Sequence, residues 1–139
     1  VSGVTATDKD GNEFTIDCTA VVLATGGFGA NAKMVEEYNP KLAGFGTTNH
    51  AGATGDGIEM AKELGVQFVD MDQIQTHPTV NPDTQTMYTE GVRGNGAILV
   101  NKEGKRFVNE LETRDVVSAA ILEQTDSAIW YLTRQSETA

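Results

Sequence analysis

The chain opens with two short runs in which apolar and polar residues alternate. They span 4–7 and 13–18, and the turn-forming residues 8–12, Asp-Lys-Asp-Gly-Asn, lie between them. Alternation with period two around such a turn predicts a β-hairpin. The next run, Ala20–Thr25, is almost continuously apolar and ends in Gly26-Gly27, which is typical of a parallel strand buried on both faces.

Helical spacing occurs in three places. Residues 31–38 predict one or two helical turns before Pro40. A second helix is predicted to open within 54–57 and to run to about Leu64, with Gly65 as its C-cap. A third is predicted from a cap at Asp115 through Leu122. Its inner side would hold Val116, Ala119, Ala120 and Ile121.

The remaining segments predict short strands and loops. Strands are expected over 66–69, 74–77 and 127–133, and a hairpin over 97–101 and 105–108 around residues 102–104. Residues 41–52, rich in Gly, Thr and Asn, predict a loop. Because strands and short helices follow one another without strict βαβ alternation, the predicted fold class is α+β.

Composition excludes several classes of function. The 139 residues fit one domain able to bury a core. With 20 acidic against 10 basic residues, the chain is a poor fit for a nucleic-acid groove. No apolar run reaches the roughly 18 residues of a membrane span, so a soluble protein is expected. The lone Cys18 excludes an internal disulfide, and one Cys with two His predicts no metal site.

The densest charge lies beside an apolar run, in Glu90, Arg93 and Arg114, near several glycines. A buried Arg-Glu-Arg series can hold a dicarboxylate and pass a proton to it. The same residues also fit an ordinary surface ion pair, which contributes little to stability.

Three further features suggest binding, and each has a simpler structural explanation. The run that ends in Thr25, Gly26 and Gly27 places backbone N–H groups at the carboxyl end of a predicted strand, although a tight turn also needs such glycines. Asp56 lies at a helix start that favours an electron-rich ligand atom, or serves only as a cap. His77 suits a carboxylate ligand, or simply packs. No G-x-G-x-x-G dinucleotide motif is present.

Five motifs, in order and with matching spacing, resemble the soluble fumarate reductases, flavoprotein relatives of succinate dehydrogenase and L-aspartate oxidase. They are VVLATGGF at 21–28, TNHAGATGDG at 48–57, THPT at 76–79, TEGVRGNGAILVNKEGKRFVNE at 89–110 and TRD at 113–115. The resemblance covers nearly the whole chain. It implies residues 1–47 as the end of an FAD-binding segment and 48–139 as most of a capping domain that closes over the substrate.

The resemblance also implies roles for individual residues. Arg114 would donate a proton to the substrate, and Glu90 and Arg93 would reprotonate it. His77, Thr89 and Glu90 would hold the substrate carboxylate, with Met87 alongside. Non-covalent FAD would contact Asp56, Thr25, Gly26 and Gly27. The implied partners are a small dicarboxylate, the rest of the chain and an electron-donor domain or protein.

The sequence leaves the substrate and the extent of the protein open. Val1 starts inside an alternating run without an initiator methionine, which favours a piece of a longer chain that would be inactive by itself and bind FAD weakly or not at all. Relatives with similar Glu-Arg-Arg signatures reduce urocanate or other acrylates. The alternative from another class is a non-catalytic domain that holds a small anion near His77 and Arg93.

Overall fold

The computed structural model describes residues 1–127 and 130–132, which form short strands and helices. The strands are β1 (Gly3–Thr7), β2 (Glu13–Asp17), β3 (Ile98–Val100) and β4 (Trp130–Leu132). The α-helices are α1 (Ala32–Tyr38), α2 (Asp56–Glu63), α3 (Glu90–Gly94) and α4 (Arg114–Leu122), with 3₁₀ turns at Pro40–Leu42 and Thr125–Ser127. Within the described ranges the strands form two antiparallel pairs, β1–β2 and β3–β4. The mixed α and β content agrees with the prediction.

The predicted N-terminal hairpin is confirmed. Gly3 pairs with Asp17 and Thr7 with Glu13. The turn is built by Asp8, whose Oδ1 accepts the N–H groups of Asp10 at 2.8 Å and Asn12 at 2.9 Å, because an aspartate side chain can bond to backbone that follows it closely.

The predicted buried strand over Ala20–Thr25 is wrong. These residues lie outside any strand, and Val22 and Leu23 are 88% and 52% exposed. A parallel strand becomes buried only when strands pair with both of its edges and helices cover its faces, and the described residues supply neither. The strand predicted over 66–69 fails for the same reason, with Val69 71% exposed, and residues 74–77 also form no strand.

The first two predicted helices are confirmed, and so is the predicted C-cap of the second at Gly65. The Asn31 side chain accepts the Met34 N–H at the start of α1. At the end of α2, the Gly65 N–H donates to the Lys62 carbonyl and the Val66 N–H donates to the Ala61 carbonyl. These are the two hydrogen bonds of a Schellman cap. Gly65 has φ +69° there. The N-cap of α2 is Gly55 rather than Asp56.

The core joins α4 to β3. Leu99 and Val117 are fully buried and Ile121 nearly so, with Phe107 and Val108 packed against them. The inner face predicted for α4 is therefore only partly right: Ile121 is buried, but Val116 is 43% exposed and Ala119 is exposed. The N-cap is Thr113, not Asp115. The apolar residues of α4 lie on more than one side of the helix, so their spacing alone did not identify the side that packs against Leu99.

The strands around this core differ from the predicted hairpin. β3 pairs with β4, with Leu99 opposite Tyr131, whereas the 105–108 segment contributes only one bridge, Val100 to Arg106. The strand predicted over 127–133 is shorter than expected, at Trp130–Leu132, because Ser127 belongs to a 3₁₀ turn. Positions 128, 129 and 133 lie outside the described residues.

Candidate active site

Glu90 is the meeting point of the charged residues that the sequence singled out. It is the first residue of α3, and Thr89 is the N-cap. Its Oε1 accepts a hydrogen bond from Arg114 Nε and lies 3.2 Å from His77 Nε2 and 3.8 Å from Arg93 Nη2. The structure therefore brings three predicted site residues, from three separate segments, around the carboxylate of a fourth.

Arg114 is held by two acceptors on different segments. It is the first residue of α4, and besides the Nε bond to Glu90 its Nη1 donates to Gln75 Oε1 at 2.6 Å. Its side chain is 40% exposed, so the guanidinium is oriented by the protein and still open to a ligand. Sequence reasoning did not single out Gln75, since nothing distinguishes this glutamine from other polar residues nearby.

His77 is oriented by its own loop. Its Nδ1 accepts the Thr79 N–H at 3.3 Å, so in the neutral ring the proton resides on Nε2, the nitrogen that faces Glu90. Nε2 is buried and its direction to Glu90 does not meet hydrogen-bond geometry, so this contact is electrostatic. Thr79, 1% exposed, donates from its hydroxyl to the Tyr88 carbonyl at 2.7 Å and fixes the loop beside α3.

The surrounding cations keep Glu90 ionised. The hydrogen bond from Arg114, the main-chain N–H of Glu90 itself and the charges of Arg114 and His77 lower the pKa of Glu90 to about 2. At neutral pH, Glu90 therefore carries a negative charge beside the Arg114 guanidinium.

A cavity of about 690 Å³ adjoins this cluster. Its wall includes His77, Met87, Arg114 and Gln75, together with Gly29, Ala30 and residues 44–49 from the N-terminal part of the chain. Thr89, Glu90 and Arg93 do not line it; Glu90 borders it through Arg114 and His77, and Thr89 is exposed on the surface of the described chain. Among the predicted substrate residues, His77 and Met87 thus face the cavity.

The predicted cofactor residues also come together, at the start of α2. The Gly55 N–H donates to the Gly27 carbonyl at 3.1 Å, and a Cβ on Gly57 would lie 2.1 Å from Thr25 Oγ1. Gly26 has φ +82° with open space beside it. Asp56, the first residue of α2, accepts the Thr54 hydroxyl at 2.8 Å.

This junction fits an electronegative atom of a ligand. The first N–H groups of a helix have no acceptor inside the helix. Those of α2 lie beside the glycine turn at 26–27, so the helix start and the turn can both approach an electronegative atom closely.

Within the described residues no group of three His, Cys, Asp or Glu is arranged to hold a metal ion. No helix among them is long and apolar enough to cross a membrane.

The family described as FAD binding domain matches residues 1–131. The chain belongs to this FAD-binding domain family. The match supports FAD as the cofactor, and it extends from the predicted FAD-binding segment, residues 1–47, into the predicted capping segment as far as residue 131.

Two relatives that this chain matches are reductases. The NADH:fumarate oxidoreductase of Klebsiella pneumoniae is 52% identical over 122 residues, which are 88% of this chain and 13% of that protein. The urocanate reductase of Eggerthella lenta is 47% identical over 132 residues, 91% of this chain and 22% of that protein. The chain therefore spans about a fifth or less of the length of these relatives.

A solved structure shares the fold. The open conformation of a flavocytochrome c3 fumarate reductase superimposes with a TM-score of 0.69 at 45% identity, over 94% of this chain and 23% of that one. These similarities confirm the predicted resemblance of this chain to fumarate reductase flavoproteins.

Proposed function

We propose that this chain is the substrate-closing part of an FAD-dependent reductase that converts fumarate to succinate. The observation that supports this best is the Glu90 cluster, in which a partly exposed arginine is bonded to an ionised carboxylate at the wall of a cavity. Residues 1–47 would be the end of an FAD-binding segment and residues 48–139 most of the capping domain. The rest of the chain would complete the cofactor site, and a further domain or protein would supply electrons.

Arg114 combines two tasks in this proposal. Its positive charge stabilises the negative charge that develops on the substrate as a hydride arrives, and it then gives a proton to the neighbouring carbon. Bound FAD would supply that hydride. Arginine is a weak acid, with a pKa above about 12, so the transfer requires a carbanion-like carbon of higher basicity and a rapid return of the proton.

Glu90 and Arg93 would return that proton. Glu90 Oε1 is bonded to Arg114 Nε, and Arg93 Nη2 lies 3.8 Å from the same oxygen. After Arg114 has lost its proton, the Glu90 carboxylate takes a proton from Arg93 and passes it to Arg114. Arg93 then regains a proton from solvent. The low pKa of Glu90 keeps the proton on Arg114 between turnovers.

The substrate would occupy the cavity beside this relay. His77 and Met87 line it. His77 and Thr89 are proposed to hold one carboxylate, with Met87 alongside. Glu90, predicted as a third carboxylate ligand, would act there by orienting His77 and Arg114, because its own ionised side chain repels a carboxylate. FAD would be held at the α2 junction by Asp56, Thr25, Gly26 and Gly27. Thr89 is the residue least supported by the described geometry, because it is exposed and away from the cavity wall.

A second substrate class is urocanate or another acrylate. The 47% identity to a urocanate reductase favours it, since the same relay serves any double bond conjugated to a carboxylate.

We further propose that residues 1–139 alone bind FAD weakly and do not turn over. Exposed Val22 and Leu23 support this, because the segment beside the cofactor glycines lacks partner strands in the described chain.

The test uses the complete flavoprotein and its Arg114→Ala variant, with a reduced viologen dye as electron donor. Fumarate turnover that disappears in the variant while bound FAD persists supports the proposal. Turnover on urocanate alone keeps the mechanism and changes the substrate. A protein without FAD and without turnover on either compound contradicts the proposal and favours the anion-binding alternative.

A further inference from the structure

Glu110 is a buried acid that the proposed reaction does not use. Its side chain is only 4% exposed, and a buried charge without partners is costly. Arg106 donates from Nε to Oε1 at 3.0 Å and from Nη2 to Oε2 at 2.6 Å. The Leu99 N–H donates to Oε1 at 2.9 Å. The carboxylate is thus hydrogen-bonded to the main chain of β3 at the fully buried Leu99 and to two nitrogens of the planar Arg106 guanidinium.

These partners keep Glu110 charged. Burial alone would raise the pKa of this carboxyl, but the Arg106 guanidinium and the Leu99 N–H outweigh it, so the pKa lies below its ordinary value. The Arg106–Glu110 pair is consequently a permanent anchor at neutral pH, with its cation on the surface and its anion inside.

The main chain of Glu110 holds Arg93. Arg93 Nη1 donates to the Glu110 carbonyl at 2.8 Å, and this is the one hydrogen bond that the Arg93 side chain makes in the described part of the protein. Arg93 is 3% exposed and its Nε has no acceptor there. The direction of its guanidinium toward Glu90 therefore depends on where the Glu110 carbonyl lies.

We propose that Glu110 is a positioning residue for proton return. Its carboxylate, clamped by Arg106 and Leu99, fixes its own carbonyl, and the carbonyl aims Arg93 at Glu90. The inference rests on the proposed function, because it assigns Glu110 to the upkeep of that relay.

The experiment compares Glu110→Gln, Arg93→Met and the double variant in the complete flavoprotein. Gln keeps an acceptor for Leu99 but loses the charge that binds Arg106. We expect kcat per bound flavin to fall roughly tenfold to hundredfold in Glu110→Gln, the range for a displaced catalytic group, with KM for fumarate little changed. The double variant should be no slower than Arg93→Met, because both changes act through one residue. Glu103→Gln, an exposed acid of the same loop, is the matched control.

The outcomes separate the inference from the proposed function. Slow Arg93→Met with normal turnover per flavin in Glu110→Gln overturns the positioning role and leaves the relay standing. Additive losses in the double variant also overturn it. Normal turnover in Arg93→Met contradicts the relay itself and removes the basis for the inference. If Glu110→Gln retains no flavin, Arg106→Lys replaces it, since Lys keeps the charge but loses the fork; unchanged turnover per flavin in that variant overturns the proposal.

Discussion

Replacing Arg114 by lysine separates acidity from geometry in the proposed proton transfer. Arg114 uses two nitrogens on two acceptors, Nε on Glu90 and Nη1 on Gln75 at 2.6 Å. Lysine keeps the positive charge but has one nitrogen, so it cannot span both acceptors. In water it is also the stronger acid, with a pKa near 10.4 against more than about 12 for arginine.

The expected size of the loss follows from the hydrogen bond that lysine gives up. A bond to a charged partner contributes about 1.5–3 kcal/mol, and 40% exposure of Arg114 favours the lower half of that range. With about 1.4 kcal/mol for each factor of ten, Arg114→Lys should turn over roughly tenfold to fortyfold more slowly than wild type.

The assay is the fumarate-dependent oxidation of a reduced viologen by the complete flavoprotein, normalised to bound flavin. Lys102→Arg, a conservative exchange at an exposed site of the same chain, serves as the control for the purification and the assay. Turnover in Arg114→Lys equal to or faster than wild type would refute the reasoning, because acidity rather than orientation would then limit the reaction.

Three further predictions concern stability, pH and the cofactor. Leu99→Ala, at a fully buried position, should cost about 2–5 kcal/mol of unfolding free energy, measured by urea unfolding of the 139-residue chain; a loss below about 1 kcal/mol would mean that the core repacks. The pKa of Glu90 falls from 4.5 to about 2 on folding, so its ionised form stabilises the fold above pH 4.5 and that contribution is lost as pH falls toward 2. The stability advantage of wild type over Glu90→Gln should therefore shrink over this interval in urea titrations, and a constant difference would contradict the assigned pKa. Gly57→Ala would place a Cβ 2.1 Å from Thr25 Oγ1, so FAD affinity of the complete flavoprotein should fall in a fluorescence titration, whereas Gly94→Ala, with open space around the new Cβ, should bind as wild type.

Local features of the fold were predictable from sequence because their causes are local. The turn over residues 8–12 and the Gly65 cap each depend on hydrogen bonds or a positive φ within a few residues, and the structure contains both. The strand predicted over Ala20–Thr25 failed because a strand depends on a partner, and an apolar run does not specify whether that partner is present.

The chemical groups available to this protein can be read from its residues: one carboxylate and two guanidiniums among glycines, a histidine, and two glycine-rich segments. Folding places Glu90 in contact with Arg114 and facing His77 and Arg93, and it provides the two arginines with acceptors on the Gln75 side chain and the Glu110 carbonyl. In sequence Glu110 resembles the exposed Glu103 and Glu112. It differs because folding buries it against β3, where a charge persists only if Arg106 and Leu99 satisfy it.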